Sequence, residues 1–92
     1  MANTRANNQI KTVWLTGSAS GVGLHLTDVF QKLGYQVIAT DINEEAMHTA
    51  AKERYWNAEN ILISKLDVCQ TASWQSVFDD AIERFKKIDI FL

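Results

Sequence analysis

Short apolar runs alternate along the chain with longer segments in which apolar residues recur at helical spacing. The short runs, at 11–16, 36–40, 61–66 and 88–92, have the length and composition of buried strands. Between them, apolar stripes repeat at offsets of three, four and seven residues and predict amphipathic helices. The predicted order is therefore β-α-β-α-β-α-β, which is typical of a parallel sheet covered by helices.

The predicted helices are bounded by residues that suit helix ends. The first stripe covers 22–33 and is followed by Gly34, which suits the positive φ just after a helix C-terminus. Asn43 is a good N-cap for the second helix, which we expect to end near Tyr55. For the third helix we expect Thr71 to be the cap.

Right-handed crossovers decide how these elements are arranged. They predict the strand order 3-2-1-4, with two helices on one face of the sheet and the third helix on the other. This uneven cover leaves apolar sheet surface exposed, and the fourth strand becomes an open edge. We therefore expect the chain to self-associate or to bind a complementing C-terminal half.

Composition narrows the classes of function. The 92 residues form one small domain, for which we expect a disordered polar tail at 1–10 and a folded unit at 11–92. Nine basic and eleven acidic residues, with no Lys/Arg cluster, give no basis for nucleic-acid binding. No apolar run approaches the ~18 residues of a membrane span, and no metal-ligand spacing occurs. Cys69 is the single cysteine, and no secretory signal is evident, so we expect a cytoplasmic protein.

Three of the four glycines lie between the first strand and the first helix, at Gly17, Gly21 and Gly23. Glycine allows a sharp turn there and lets a phosphate approach the main chain, while the helix N-terminus offers N–H groups to the anion. Gly23 should also let the helix start pack close to the sheet. The alternative, a plain tight turn, needs only one or two glycines. The loop therefore predicts a dinucleotide pyrophosphate site, which includes Ser20 and Val22.

Asp41 ends the second strand, roughly 20 residues past the glycine loop, where this kind of fold binds the adenosine ribose. A carboxylate there accepts hydrogen bonds from the ribose hydroxyls and repels a 2′-phosphate. No Arg or Lys adjoins Asp41 in the sequence or occurs inside the loop, so we expect NAD rather than NADP. The alternative is that Asp41 is a solvated turn residue that only precedes the Asn43 cap.

The segment 16–23, Thr-Gly-Ser-Ala-Ser-Gly-Val-Gly, resembles the Thr-Gly-x-x-x-Gly-x-Gly signature of the short-chain dehydrogenases/reductases. The resemblance extends over 11–92 and implies the N-terminal half of a three-layer, Rossmann-like α/β domain. At the end of the chain, 88–92 is similar to the strand that precedes the family's Asn-Asn-Ala-Gly motif.

The same resemblance implies roles for individual residues of the cofactor site. It makes Asp41 the NAD-selecting acid, with Ile42 beside it. Asp67 and Val68 look like the family's adenine-pocket pair, in which the carboxylate lies near the adenine amino group.

The family's catalytic residues, a Ser and a Tyr-x-x-x-Lys pair, lie downstream of the fourth strand. Neither Tyr35 nor Tyr55 has a lysine at that spacing, so we expect no catalytic residue here and an inactive chain. The favoured hypothesis is the NAD-binding part of an oxidoreductase whose complete fold transfers hydride between nicotinamide and an alcohol or carbonyl. The alternative is a truncated, non-catalytic nucleotide-binding or interaction module.

Overall fold

The computed structural model describes residues 10–92, so the predicted tail, apart from residue 10, lies outside the described residues. The order of strands and helices is the predicted one. In chain order the elements are β1 (Thr12–Leu15), α1 (Gly21–Lys32), β2 (Gln36–Asp41), α2 (Glu44–Glu53), β3 (Ile61–Lys65), α3 (Thr71–Phe85) and β4 (Ile90–Phe91).

The four strands form one sheet in the order β3-β2-β1-β4, and every neighbouring pair is parallel. All four residues of β1 and the middle four of β2 are buried, because helices cover both faces of these two central strands. The predicted strand order and the α/β class are therefore confirmed.

Successive residues of the central strands enter two different cores, one on each face of the sheet. On one face Val13 and Val37 pack with Met47 of α2 and Phe30 of α1. On the other face the core is formed by Trp14, Ile38, Leu66, Val77, Ala81 and Phe85, of which the last three belong to α3. Two helices therefore cover one face and one helix covers the other, as the crossover rule requires.

Helix ends show one wrong prediction and one adjustment. Gln70, not Thr71, is the N-cap of α3, because its carbonyl accepts the amide N–H groups of Ser73 and Trp74, so that Thr71 is already helical. The second helix ends at Glu53, two residues before the predicted end, and Tyr55 has a φ of 58°.

Other ends behave as expected or are shorter. Asn43 does cap α2, since its side chain accepts the N–H of Ala46 at 3.0 Å, and Gly34 follows α1 with a φ of 91°. The fourth strand has two residues instead of the predicted five. Just before it, Asp89 pairs with Thr12 through both its N–H and its carboxylate, at 2.8 Å each.

Asp28 of α1 fastens the segment that follows α2. Its carboxylate accepts the indole N–H of Trp56 at 2.8 Å and forms an ion pair with Arg54. Trp56 is thereby held in the core on the α1 and α2 face, away from the α3 face of the sheet.

Candidate functional site

The glycines of the loop between β1 and α1 meet two different structural needs. Gly17 and Gly21 have φ values of 69° and 58°, and a Cβ at either position would meet no atom of residues 10–92 within 4 Å. They are therefore required by the backbone conformation, with open space beside them. Gly23 is required by close packing, because a Cβ there would lie 2.0 Å from the carbonyl oxygen of Gly17. The nearest contact is with the loop itself, and a further one, at 3.0 Å, is with the carbonyl oxygen of Thr16, the residue that follows β1.

The N-terminus of α1 is open to an anion. Ser20 is the N-cap, but its side chain makes no capping hydrogen bond, and residues 21–24 include no acidic side chain. The first N–H groups of a helix have no partners within the helix, and the helix dipole adds positive potential there. Val22, in this first turn, is 75% exposed. This end of α1 can therefore donate to a phosphate group.

Beside the loop, the carboxyl ends of β1, β2 and β3 enclose a cleft of about 350 Å³. Five residues predicted for the cofactor site line it together: Gly17, Asp41, Ile42, Asp67 and Val68. The other predicted residues, at 20–23, lie at the start of α1 and do not line this cleft. Ile42 and Val68 are exposed apolar side chains, which provide surface for a flat ligand.

The Asp41 carboxylate connects the second strand to the glycine loop. One oxygen accepts the N–H of Ala19 at 3.1 Å, and the other accepts the N–H of Asn43 at 2.9 Å. Asp41 thus does precede the Asn43 cap, as the alternative interpretation held, but it also holds the loop. A carboxylate has about four acceptor sites, so both oxygens can accept further hydrogen bonds from a ligand.

Lys65 is a cation near Asp41 that the sequence alone does not reveal. The register of β2 and β3 makes Lys65 the direct partner of Asp41 on the adjacent strand. Their positions are 24 residues apart in the sequence, and only the strand register brings them together.

The segment that follows β3, with Asp67 and Val68, is fixed to the beginning of α3. The N–H of Asp67 donates to the hydroxyl of Ser73 at 2.9 Å, and its carboxylate accepts the N–H of Cys69 at 3.0 Å. The carbonyl of Val68 accepts the indole N–H of Trp74 at 3.0 Å.

Sequence reasoning missed two buried polar residues that support the loop, Ser18 and Thr40. The hydroxyl of Thr40 donates to the carbonyl of Leu15 at 2.7 Å, and its own carbonyl accepts the N–H of Ser18 at 2.9 Å. The available signal was a threonine within an otherwise apolar strand, since a buried hydroxyl needs a partner.

Residues 10–92 contain neither a cluster of metal ligands nor a membrane-spanning helix. No group of three or more metal-ligating side chains occurs within this part of the chain. Among its helices, none is long and apolar enough to cross a membrane.

A glycine loop opening a helix, beside a cleft at the carboxyl ends of parallel strands, is the arrangement that binds dinucleotides. The family model described as short chain dehydrogenase matches residues 11–92. The chain belongs to the short-chain dehydrogenase family. The predicted resemblance is thereby confirmed.

Individual relatives agree with this assignment. A short chain dehydrogenase/reductase of Gibberella zeae is 33% identical over 82 residues, which are 89% of this chain and 30% of that protein. The glucose/ribitol dehydrogenase-type structure from Brucella melitensis superposes with a TM-score of 0.82 at 27% identity, over 88% of this chain and 34% of that one. A 3-ketoacyl-(acyl-carrier-protein) reductase of the same organism, complexed with NADH, gives a TM-score of 0.78 at 27% identity, over 88% and 32%. The chain thus spans about a third of the length of these relatives.

Proposed function

We propose that this chain is the NAD-binding N-terminal part of a short-chain dehydrogenase/reductase-type oxidoreductase. The observation that carries the proposal is the cleft in which Gly17, Asp41 and Asp67 meet beside the open N-terminus of α1. When bound, the nicotinamide cofactor supplies hydride chemistry, which in the complete family fold acts on an alcohol or carbonyl.

The residues present fit the parts of a dinucleotide. The pyrophosphate would lie on the loop at 17–23, where open space surrounds Gly17 and Gly21 and helix N–H groups face an anion. The ribose hydroxyls would donate to Asp41, and the adenine would lie between Ile42 and Val68 with its amino group near Asp67. The role of these residues is to bind and orient the cofactor, and we assign no catalytic role to any of them.

The preference for NAD over NADP rests on charge. A 2′-phosphate placed beside Asp41 would meet a carboxylate that already holds the loop and therefore cannot swing away without breaking two hydrogen bonds. Lys65, on the neighbouring strand, is the residue that opposes this preference. We expect the repulsion from the Asp41 carboxylate to outweigh the attraction from Lys65, because Asp41 lines the cleft and Lys65 does not.

Calorimetry with NAD and NADP tests the proposal. The unaltered chain should bind NAD more tightly than NADP. The double variant Asp41→Ala/Ile42→Arg should raise the NADP-to-NAD affinity ratio by about 10- to 100-fold, because the 2′-phosphate gains a charge-assisted contact with the arginine and loses the repulsion from Asp41. Asp79→Ala, on the exposed side of α3, is the control and should change neither affinity. A chain that gives no heat with millimolar NAD would refute the proposal. An unchanged ratio in the double variant would show that Asp41 is not the ribose contact.

The proposal includes a partner for the open side of the sheet. Phe78, Phe91 and Leu92 are large apolar side chains about half exposed on or next to α3 and β4. Among residues 10–92, β4 has a strand neighbour only on its β1 side. We expect self-association or binding of a complementing C-terminal half, and no hydride transfer by the chain alone. A monodisperse 10.4 kDa particle in light scattering would contradict self-association.

The expected location is the cytoplasm, where the exposed thiol of Cys69 would stay reduced.

A non-catalytic nucleotide-binding module remains the second candidate, because the cleft lies entirely among residues of this chain. It predicts NAD binding by the 92-residue chain that addition of a complementing half does not strengthen.

A further inference from the structure

Three aromatic side chains from three different elements meet on the α3 face of the sheet. Trp14 of β1 lies 5.6 Å from Trp74 of α3 and 5.4 Å from Phe91 of β4, measured between ring centroids. Trp74 and Phe91 are 5.7 Å apart. These tilted and edge-on contacts are favourable geometries for aromatic pairs, and we call the three residues the aromatic cluster.

The indole N–H of Trp14 connects this cluster to the glycine loop. It donates to the hydroxyl of Thr40 at 3.1 Å, and that hydroxyl donates to the carbonyl of Leu15 at 2.7 Å. The loop residue Ser18 donates to the same Leu15 carbonyl at 3.3 Å through its hydroxyl, and to the Thr40 carbonyl at 2.9 Å through its N–H. A buried chain of hydrogen bonds therefore runs from Trp14 to the residue next to Gly17.

The indole N–H of Trp74 connects the same cluster to the opposite wall of the cleft. It donates to the carbonyl of Val68 at 3.0 Å. One residue earlier on α3, the hydroxyl of Ser73 accepts the N–H of Asp67 at 2.9 Å. The segment assigned to the adenine is thus held by two neighbouring side chains of α3.

We propose that Trp14 and Trp74 are positioning residues for the dinucleotide, acting as a pair. Because the two indoles pack against each other while each holds a different wall of the cleft, their contact sets the spacing between the pyrophosphate loop and the adenine-side segment. When both walls of the cleft already have the geometry of the bound state, less conformational entropy is lost on binding, so the affinity is higher. This inference rests on the proposed function and adds the residues that shape its site.

The test compares three single substitutions that each keep an aromatic ring and remove one indole N–H. Trp14→Phe and Trp74→Phe should each weaken NADH binding by about two- to tenfold, the loss expected for one hydrogen bond. Trp56→Phe is the matched control, since its indole also donates one hydrogen bond, to Asp28 at 2.8 Å, but in the core on the other face. It should leave NADH affinity unchanged even if it lowers the melting temperature. Affinity is measured by NADH fluorescence at a temperature where circular dichroism shows each variant folded.

A second measurement needs no variant to fold. In ¹⁵N-labelled unaltered chain, NADH should shift the indole N–H resonances of Trp14 and Trp74 and leave that of Trp56 in place. If the amides of Gly17 and Gly21 shift while all three indoles stay still, the positioning role is wrong and the cofactor site stands. NADH affinity unchanged by either substitution would likewise overturn the role of that tryptophan. If the glycine amides do not respond to NADH, the proposed function fails, and this inference fails with it.

Discussion

Substitution of Gly23 by alanine gives the sharpest test of the loop geometry, because two principles predict opposite signs. Gly23 lies in the first turn of α1, where helix propensity alone makes alanine more stable by about 1 kcal/mol. The added Cβ, however, would lie 2.0 Å from the oxygen and 2.5 Å from the carbon of the Gly17 carbonyl, and 3.0 Å from the oxygen of Thr16. These neighbours are backbone atoms, so the helix start and the loop must separate by roughly 1 Å or more to restore ordinary contact.

A separation on this scale should lower the free energy of unfolding by about 3 kcal/mol, the upper end of overpacking costs. The gain in helix propensity reduces the net loss to about 2 kcal/mol. For a domain of this size, about 2 kcal/mol lowers the melting temperature by roughly 8–16 °C. Urea unfolding and thermal melts followed by circular dichroism measure both quantities. Calorimetry with NAD should also show weaker binding, because the loop proposed to hold the pyrophosphate has moved.

Gly34→Ala is the matched control for Gly23→Ala. Gly34 has a φ of 91°, but a Cβ there would meet no atom of the described residues within 4 Å. Only backbone strain of about 1–2 kcal/mol is therefore expected, with no loss of NAD affinity in the folded fraction. A Gly23→Ala chain that is as stable as the unaltered one, or more stable, would refute the packing argument. Equal losses of NAD affinity in the two variants would refute the link between the loop and the cofactor.

Two further predictions concern stability. Asn43→Ala should cost about 1 kcal/mol because it removes the α2 cap, whereas Thr71→Ala should cost less than about 0.5 kcal/mol because Thr71 caps nothing; urea midpoints measure both. The pKa of Asp89 is lowered by the N–H of Thr12, with a smaller contribution from Lys87. Because the folded-state pKa is the lower one, this carboxylate stabilises the fold above its unfolded pKa of about 3.9, and that stability is lost as pH falls through the folded value. The stability difference between the unaltered chain and Asp89→Asn should therefore be largest above pH ~5 and shrink in acid, and equal differences from pH ~6 to ~2 would contradict it.

Local rules of sequence were enough for the order of elements and the strand order. Apolar periodicity locates each element, and right-handed crossover leaves one arrangement of four parallel strands. The same rules were weakest at the ends of helices and strands. Gln70, not Thr71, caps α3, and it does so through its backbone carbonyl. Because every residue has a backbone carbonyl, no sequence pattern distinguishes this cap. The rules also could not pair Asp41 with Lys65, since that neighbour follows from the register of two strands.

For the candidate site, the identity of many residues could be predicted, but the bonds that position them could not. Glycines and carboxylates at strand ends can be read from the sequence, because backbone conformation and charge restrict which residues occur there. The long-range bonds that hold these residues in place cannot, because they connect groups far apart in the sequence, as the bond from the N–H of Ala19 to Asp41 does. Thr40 shows the difference: its place in an apolar strand marks it as unusual, but its donor, Trp14, is defined only once β1 and β2 are paired.

The point at which the strand order reverses lies between β1 and β4, and dinucleotides in this kind of fold lie across such a point. The cleft described above lies on one side of it, over β1, β2 and β3, and we propose this side for the adenosine. At the switch point itself, Thr16 donates to the carbonyl of Leu92 through both its N–H, at 3.0 Å, and its hydroxyl, at 3.2 Å. The proposed adenosine site is therefore held by bonds within residues 10–92, whereas the nicotinamide side would lie over β4. In the proposed arrangement, Asp41 and the glycine loop would select the dinucleotide, whereas the residues that complete the family fold would determine the reaction.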